Sequence, residues 1–313
     1  MSSSSGPESS PQLDPAGLEQ IEEIEQGAPR VRALGTTKGA GERGGWVTAA
    51  WALPGTLWLG FYLVLPLVFI VLVSFWTYKL GAKSGFTTNW TLANYGTIVH
   101  SSTYWHNMLT SVYTSLIAVV ACLVFGFPIA YFLALKVHTL RNQIALFVIA
   151  LAPFWTSFLV RSVAWTYPLS DVLSRFGVTT PSTTSVRLAM IQLYILFMVT
   201  PLFFTLSQVD RTAMEAARDL GGNWWQMFRE VILPQILPGV VIGSIFIFVL
   251  TMGEYGTVSV IDQGAVSSVG TFIDNQILGI QYPQGAASAV LLVFVLILGV
   301  FGITRFANLR EEL

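Results

Sequence analysis

Charged side chains are scarce in this chain. Asp, Glu, Lys and Arg make up 11% of its 313 residues, whereas a typical soluble domain contains about 25%. Hydrophobic residues reach 53%, and the mean hydropathy is +0.64. This composition excludes an ordinary soluble domain and indicates a protein that lies mostly in lipid.

Cysteine and histidine are nearly absent as well. Cys122 is the single cysteine, so it cannot form an intramolecular disulfide, and an inert thiol in an apolar segment is expected. His100, His106 and His138 are too dispersed to predict a metal site. The sequence also has no Gly-x-Ser-x-Gly motif and no dinucleotide fingerprint. We therefore expect no catalytic residue, no metal and no cofactor within this chain.

Long apolar runs dominate the sequence instead. A helix needs about 20 apolar residues to cross a hydrocarbon core of roughly 30 Å, and six blocks qualify. A membrane β-barrel would show alternating polarity, which these blocks lack. The predicted fold is therefore all-α with six spans, approximately Trp51 to Trp76, Met108 to Leu135, Ile144 to Tyr167, Leu188 to Leu206, Ile236 to Ile261 and Ala286 to Phe306.

The basic residues predict how these spans are oriented. With six spans and a cytoplasmic amino terminus, 11 of the 16 Lys and Arg residues fall on the cytoplasmic side and four on the outside. The remaining one, Arg161, lies within the third span. Since basic residues concentrate in cytoplasmic loops, both termini are predicted to be cytoplasmic.

The first 45 residues differ from the rest of the chain. They are rich in Ser, Gly and Pro, and they carry seven of the 17 acidic residues. Such a segment cannot bury enough apolar surface to fold alone, so residues 1–45 are predicted to be a disordered cytoplasmic tail without a cleavable signal peptide. A short helix starting near Asp14 and packing on a partner is the alternative. Residues 46–313 form the predicted transmembrane domain.

A charged stretch, EAARDLGGNWWQMFREVILP, separates the fourth and fifth blocks. Asp210 just before it can cap a helix. Gly221 and Gly222 are predicted to end that helix, because glycine tolerates a left-handed backbone. The loop therefore starts with a short helix and a tight turn.

A second helix is predicted directly after the turn. Asn223 and Gln226 have the spacing of a capping box, and Pro234 and Pro238 are expected to close the helix. The resulting helix-turn-helix, at about residues 208–238, has two interpretations on physical grounds alone. It is either an amphipathic connector at the membrane surface or a docking surface for a cytoplasmic protein.

The same stretch carries a family resemblance. Glu215–Ala217, Gly221 and Leu233–Pro234 stand at the spacing of the EAA loop, E-A-A, three residues, G, nine residues, I-x-L-P, with Val231 at the usual Ile position. The chain thus resembles permease subunits of binding-protein-dependent ABC importers. That resemblance implies the type I importer permease fold.

Three further segments resemble the spermidine/putrescine permeases of that superfamily. They are WTLANY from Trp90, LAPFWTSFLVRSVAW from Leu151 and QYPQGAASA from Gln281. The resemblance implies import of polyamines, with ferric iron, phosphonates or another small solute as alternatives in the same class.

The resemblance also implies a division of labour. The chain would be a non-catalytic, multi-pass subunit of a bacterial inner membrane. Its partners would be a cytoplasmic ATPase dimer that binds ATP and Mg, a second permease, favoured to be a homologue, and an extracytoplasmic substrate-binding protein; no nucleic acid is implied. The loop residues implied to contact the ATPase are Glu215, Ala216, Ala217, Arg218, Gly221, Trp224, Trp225, Phe228 and Pro234.

Ionisable residues near the spans suggest a substrate pathway. Arg161 within a span costs about 2.5 to 3.5 kcal/mol, so it should face the protein interior, a water-filled path or, by snorkelling, the outer edge. Glu254 could neutralise Arg161 in an interhelical ion pair or contact a cationic substrate. Asp262 adds to an acidic outer surface, which a solvated loop also explains. The pathway candidates are Arg161, Trp165, Asp171, Glu254, Tyr255 and Asp274.

A secondary transporter that works without ATP is the competing class. Such a protein would typically show an internal repeat with broken helices in both halves, or ionisable relays in several spans. The sequence shows one interior arginine and no clear repeat, so this class is the weaker hypothesis.

Overall fold

The computed structural model describes residues 41–79, 86–137, 139–166, 169–262 and 267–311. The predicted tail lies outside the described residues up to residue 40. The first helix begins at Gly41, five residues before the predicted start of the transmembrane domain at residue 46.

The described part of the chain is almost entirely helical. The helices are α1 (Gly41–Ser74), α2 (Ala93–Val99), α3 (Ser102–Tyr131), α4 (Leu140–Leu151), α5 (Phe158–Thr166), α6 (Ser170–Ser174), α7 (Thr183–Ser207), α8 (Arg211–Asp219), α9 (Trp224–Met227), α10 (Leu233–Met252), α11 (Gly256–Asp262), α12 (Val269–Leu278) and α13 (Tyr282–Glu311). Within the described ranges, five helices could each cross a membrane, and a bent pair provides a sixth crossing if it counts as one span.

The third predicted span is broken, not continuous. Helix α4 continues into a 3-10 turn, Ala152–Trp155, and the path then bends by 74° into α5. Pro153 lies in this turn, where it cannot donate a backbone hydrogen bond. Its carbonyl accepts from the Thr156 hydroxyl at 2.6 Å and from the Thr156 N–H at 3.3 Å, which closes the turn.

The fifth predicted span ends earlier than the sequence indicates. Helix α10 ends at Met252, nine residues before the predicted end at Ile261, and a separate helix, α11, starts at Gly256. Glycines flank the break, and the Glu254 carboxylate accepts a hydrogen bond from the Thr257 N–H at 2.7 Å. Hydropathy alone could not detect this interruption because the residues on both sides are apolar.

A small β-hairpin is the one departure from all-α structure among the described residues. Strands β1 (Trp76–Tyr78) and β2 (Phe86–Trp90) pair antiparallel between the first two spans. The buried Asn94 side chain donates to the carbonyls of Ser74 and Trp76, both at 2.8 Å. These bonds satisfy two backbone carbonyls at the end of α1 and the start of the hairpin.

The core lies where α3, α7 and α10 pack together. Small residues allow α7 and α10 to approach closely. A Cβ on Gly243 would lie 2.7 Å from the Met198 sulfur, and one on Gly239 would lie 2.8 Å from the Pro201 carbonyl oxygen. Gly239 and Gly243 are four residues apart, which is the small-xxx-small spacing of tightly packed membrane helices.

Candidate functional site

The loop between α7 and α10 begins with a capped helix. The Asp210 carboxylate accepts from the Thr212 N–H at 2.8 Å and from the Thr212 hydroxyl at 2.6 Å. These bonds lower the pKa of Asp210 below its ordinary value. The Asp210 carboxylate is therefore ionised at neutral pH. Its stabilisation of the start of α8 is lost only as the pH falls through that lowered pKa.

The predicted glycine turn has the geometry of a Schellman motif. Gly221 adopts φ +81° directly after α8. Its N–H donates to the Arg218 carbonyl at 2.9 Å, and the Gly222 N–H donates to the Ala217 carbonyl at 2.9 Å. This 6→1 and 5→2 pair of bonds satisfies two carbonyls that the helix end leaves open.

The predicted capping box is present. The Asn223 side chain accepts from the Gln226 N–H at 2.9 Å, and the Gln226 side chain accepts from the Asn223 N–H at 3.0 Å. The two bonds start α9 and fix its direction relative to the turn.

The two prolines do not close this second helix, so that prediction is wrong. After α9 the chain forms a π-helical turn, Phe228–Ile232, and runs directly into α10. The Leu233 N–H donates to the Phe228 carbonyl, five residues back. Pro234 stands in the first turn of α10, where its missing N–H costs little, and Pro238 lies inside that helix. The wider turn suits the junction, since an ordinary α-helix would bring the Pro234 ring against a carbonyl.

The tip of the loop presents apolar side chains at the surface of the chain. Leu220 is 89% exposed, Trp225 60% and Trp224 55%. Sequence reasoning missed Leu220, although its position between the first helix and the glycine turn could have identified it. The charged residues Glu215 and Arg218 are exposed beside this apolar tip.

Other loop candidates differ in their surroundings. Ala216 and Pro234 are exposed, and Ala217 is partly buried. Phe228 is also partly buried, and its ring packs inside the chain. Exposed apolar and charged groups on a short rigid helix pair are what a docking surface requires.

A glutamine ties the two ends of the loop together. The Asp210 N–H donates to the Gln235 side-chain oxygen at 3.3 Å, and the Gln235 side-chain nitrogen donates to the Val231 carbonyl at 2.9 Å. The loop therefore leaves and enters the membrane domain through adjacent, linked positions.

A second group of polar residues lies at the break between α10 and α11. The Tyr194 hydroxyl donates to the Glu254 carboxylate, whose other oxygen accepts from the Thr257 N–H. Glu254 is partly buried. Sequence reasoning missed Tyr194, although a polar tip within an apolar span marks it as a candidate.

Arg161 does not form the expected ion pair with Glu254 in the described part of the chain. Its guanidinium lies over the Phe154 ring, 5.6 Å from the centroid, and its buried Nε has no hydrogen-bond partner among the described residues. One turn further along α5, the indole N–H of Trp165 donates to the Gln192 side chain at 3.4 Å.

The remaining pathway candidates are more dispersed. Tyr255 is exposed next to Glu254, Asp171 is exposed on α6, and Asp274 is partly buried on α12. The side chain of Asp262 lies outside the described residues. Among the described residues, neither Asp171 nor Asp274 shares a hydrogen bond with Glu254.

Known proteins are similar in sequence to this chain over most of its length. Residues 105–311 match the family described as binding-protein-dependent transport system inner membrane component. The spermidine/putrescine transport system permease protein PotB of Escherichia coli (strain K12) is 31% identical over 82% of this chain and 97% of its own length. The PotB protein of Haemophilus influenzae is 28% identical over 82% of this chain and 93% of its own.

Solved structures share the fold at low sequence identity. A bacterial ABC transporter involved in the import of alginate superposes with a TM-score of 0.58 at 18% identity, covering 85% of this chain and 96% of that one. The inward-facing MetNI methionine ABC transporter superposes with a TM-score of 0.54 at 18% identity, covering 66% of this chain and 95% of that one. These likenesses support the type I importer permease fold. The chain belongs to the family of binding-protein-dependent transport system inner membrane components, the permease subunits of ABC importers.

Proposed function

We propose that this permease carries polyamines such as spermidine and putrescine across the membrane. Two relatives that cover over four fifths of the chain are named as spermidine/putrescine permeases. The structural observation that supports the proposal is the partly buried Glu254 carboxylate at the α10–α11 break.

The chemistry of this carboxylate suits an organic ammonium group. Glu254 receives one hydrogen bond from Tyr194 and one from the Thr257 backbone, and a carboxylate has about four acceptor sites in all. An ammonium nitrogen can occupy the remaining sites in a charge-assisted bond. The exposed ring of Tyr255 next to it offers a face for a cation.

We infer that the loop from Asp210 to Gln235 docks on a separate ATPase that binds ATP and Mg. Leu220, Trp224 and Trp225 would fill apolar pockets on that protein, with Glu215 at the charged edge. A second permease subunit and an extracytoplasmic binding protein complete the importer. Nucleotide binding would favour one arrangement of the spans and hydrolysis the other.

The substrate is tested on the complex that copurifies with the tagged chain, reconstituted in proteoliposomes with its binding protein. We expect spermidine to stimulate ATP hydrolysis and to be taken up. Glu254→Gln should raise the KM for spermidine about tenfold or more, because a hydrogen bond to a charged group is worth about 1.5–3 kcal/mol.

Asp219→Asn is the matched control, since it neutralises an exposed carboxylate on α8 that is not among the pathway candidates. It should leave the KM unchanged. Uptake of 2-aminoethylphosphonate without uptake of spermidine would refute the polyamine assignment while leaving the importer class intact.

The docking surface is tested by the amount of ATPase that copurifies. Leu220→Ser and Glu215→Lys should each reduce it, whereas Leu220→Met keeps an apolar side chain and should not. Full ATPase retention by Leu220→Ser and Glu215→Lys would show that the loop is only a surface connector.

A further inference from the structure

One ring connects the candidate docking loop to the second span. Phe228 stacks on Trp224 with centroids 5.5 Å apart and planes 11° apart, and on Trp225 at 5.8 Å and 28°. Its edge meets Phe127 of α3 at 5.5 Å and 78°. The two tryptophans are exposed, whereas Phe228 and Phe127 are partly buried. Phe228 therefore contacts two exposed rings of the loop and one partly buried ring of α3.

The backbone at this ring is unusual. Phe228 begins the π-helical turn that joins α9 to α10. Pro234 in the first turn of α10 disfavours an ordinary α-helical junction, so the π-turn joins α9 to α10 as one continuous segment.

A second π-turn ends α3 on the same side of the domain. In this turn, Phe132–Lys136, the Val137 N–H donates to the Phe132 carbonyl at 3.3 Å. The buried Gln143 side chain of α4 donates to the carbonyls of Ala134 at 3.0 Å and Val137 at 2.7 Å. The end of α3 is therefore fixed to α4, so that a displacement of α3 reaches the bent third span.

We propose that Phe228 and Phe127 form a coupling joint that transmits movement of the docking loop to α3. The proposal rests on the proposed docking of an ATPase at this loop. When the ATPase displaces Trp224 and Trp225, Phe228 follows because both indoles stack on it, and its edge contact displaces Phe127. Both phenylalanines act as positioning residues, since neither lies at the exposed tip.

The joint is tested by hydrogen exchange on the copurified complex, with ATP and vanadate compared against no nucleotide. This readout needs no transport substrate. In the unmodified complex we expect nucleotide to change exchange both in the loop and in the Phe132–Lys136 turn. Phe127→Leu, a change in α3 outside the docking loop, should retain the ATPase and the response of the loop. It should reduce the nucleotide-induced change in exchange at the Phe132–Lys136 turn about three- to tenfold. This factor corresponds to the free energy of one lost aromatic pair.

Four variants separate a joint from general packing. Phe228→Tyr keeps the ring and should keep the response. Phe228→Leu should reduce the response as Phe127→Leu does, and the double variant should lose little more. Phe203→Leu removes a ring from a different stacked pair, with Phe147 at 4.7 Å, and should leave the response intact.

The outcomes distinguish the two proposals. If the unmodified chain retains no ATPase, the proposed function fails and the joint fails with it. If the ATPase is retained and Phe228→Leu responds as the unmodified chain does, the joint alone is overturned. An equal loss in Phe203→Leu would also overturn it, because the effect would then reflect core packing.

Discussion

Replacement of Gly221 tests whether the loop depends on its left-handed turn. This residue has φ +81°, and a Cβ built on it would meet no atom within 4 Å. The cost of a side chain here is therefore conformational and not steric. An L-residue in the left-handed region costs roughly 1–2 kcal/mol, and a β-branched residue costs more.

These values predict a graded series at one position. Gly221→Ala should open the turn about 5- to 30-fold more often, the factor that 1–2 kcal/mol gives. Gly221→Val should have a larger effect. Gly221→Asn should have a small one, because asparagine tolerates this backbone region. At Gly222, where a Cβ would lie 2.6 Å from the Ala217 carbonyl oxygen, alanine itself should displace the turn by steric contact.

The series is measured on the purified complex by two readouts. Amide exchange in the peptide covering residues 217–223 reports opening of the turn, and ATPase stoichiometry reports docking. We expect insertion of all variants into the membrane, with docking lost in the order of exchange rates. Equal exchange in Gly221→Asn and Gly221→Val would refute the conformational argument. Rapid exchange with full docking would show that the turn does not position the ATPase contact.

Two further predictions concern topology and packing. In a Cys122→Ala background, an impermeant thiol reagent should label Asp274→Cys from outside and leave Asn223→Cys unlabelled; the reverse pattern would contradict the predicted orientation. Gly243→Leu should destabilise the domain by about 1–3 kcal/mol, as overpacking typically does, because its Cβ would approach the Met198 sulfur to 2.7 Å. Gly253→Leu, with nothing within 4 Å of a Cβ, should show little loss in the same thermal unfolding assay.

Local interactions in the loop could be predicted from sequence because they span few residues. The Asp210 cap and the Asn223–Gln226 capping box depend on side chains within three positions of the backbone groups they satisfy, and the backbone bonds of the glycine turn span three and five positions. Such motifs form in the same way in many surroundings. The continuation of α9 into α10 was missed, because a π-turn shows no characteristic residue pattern.

Contacts between distant segments could not be predicted in the same way. Tyr194 and Glu254 are 60 positions apart and meet only because α7 packs against α10. A hydropathy profile shows both as parts of apolar runs. The expected Arg161–Glu254 pair followed from charge alone, and charge does not determine which side of a bent helix faces the carboxylate.

The helices that follow the two breaks in the predicted spans lie next to each other in the fold. Helix α11, which follows the second break, packs against α5, which follows the first. At this contact a Cβ on Gly256 would lie 3.3 Å from both the Phe158 ring and the Glu254 carboxylate. Irregular backbone at membrane depth is tolerated only where protein or a water-filled cavity surrounds it. Among the described residues, the two interruptions meet beside the Glu254 carboxylate, and the buried Arg161 Nε on α5 has no hydrogen-bond partner; both observations support the proposed substrate path.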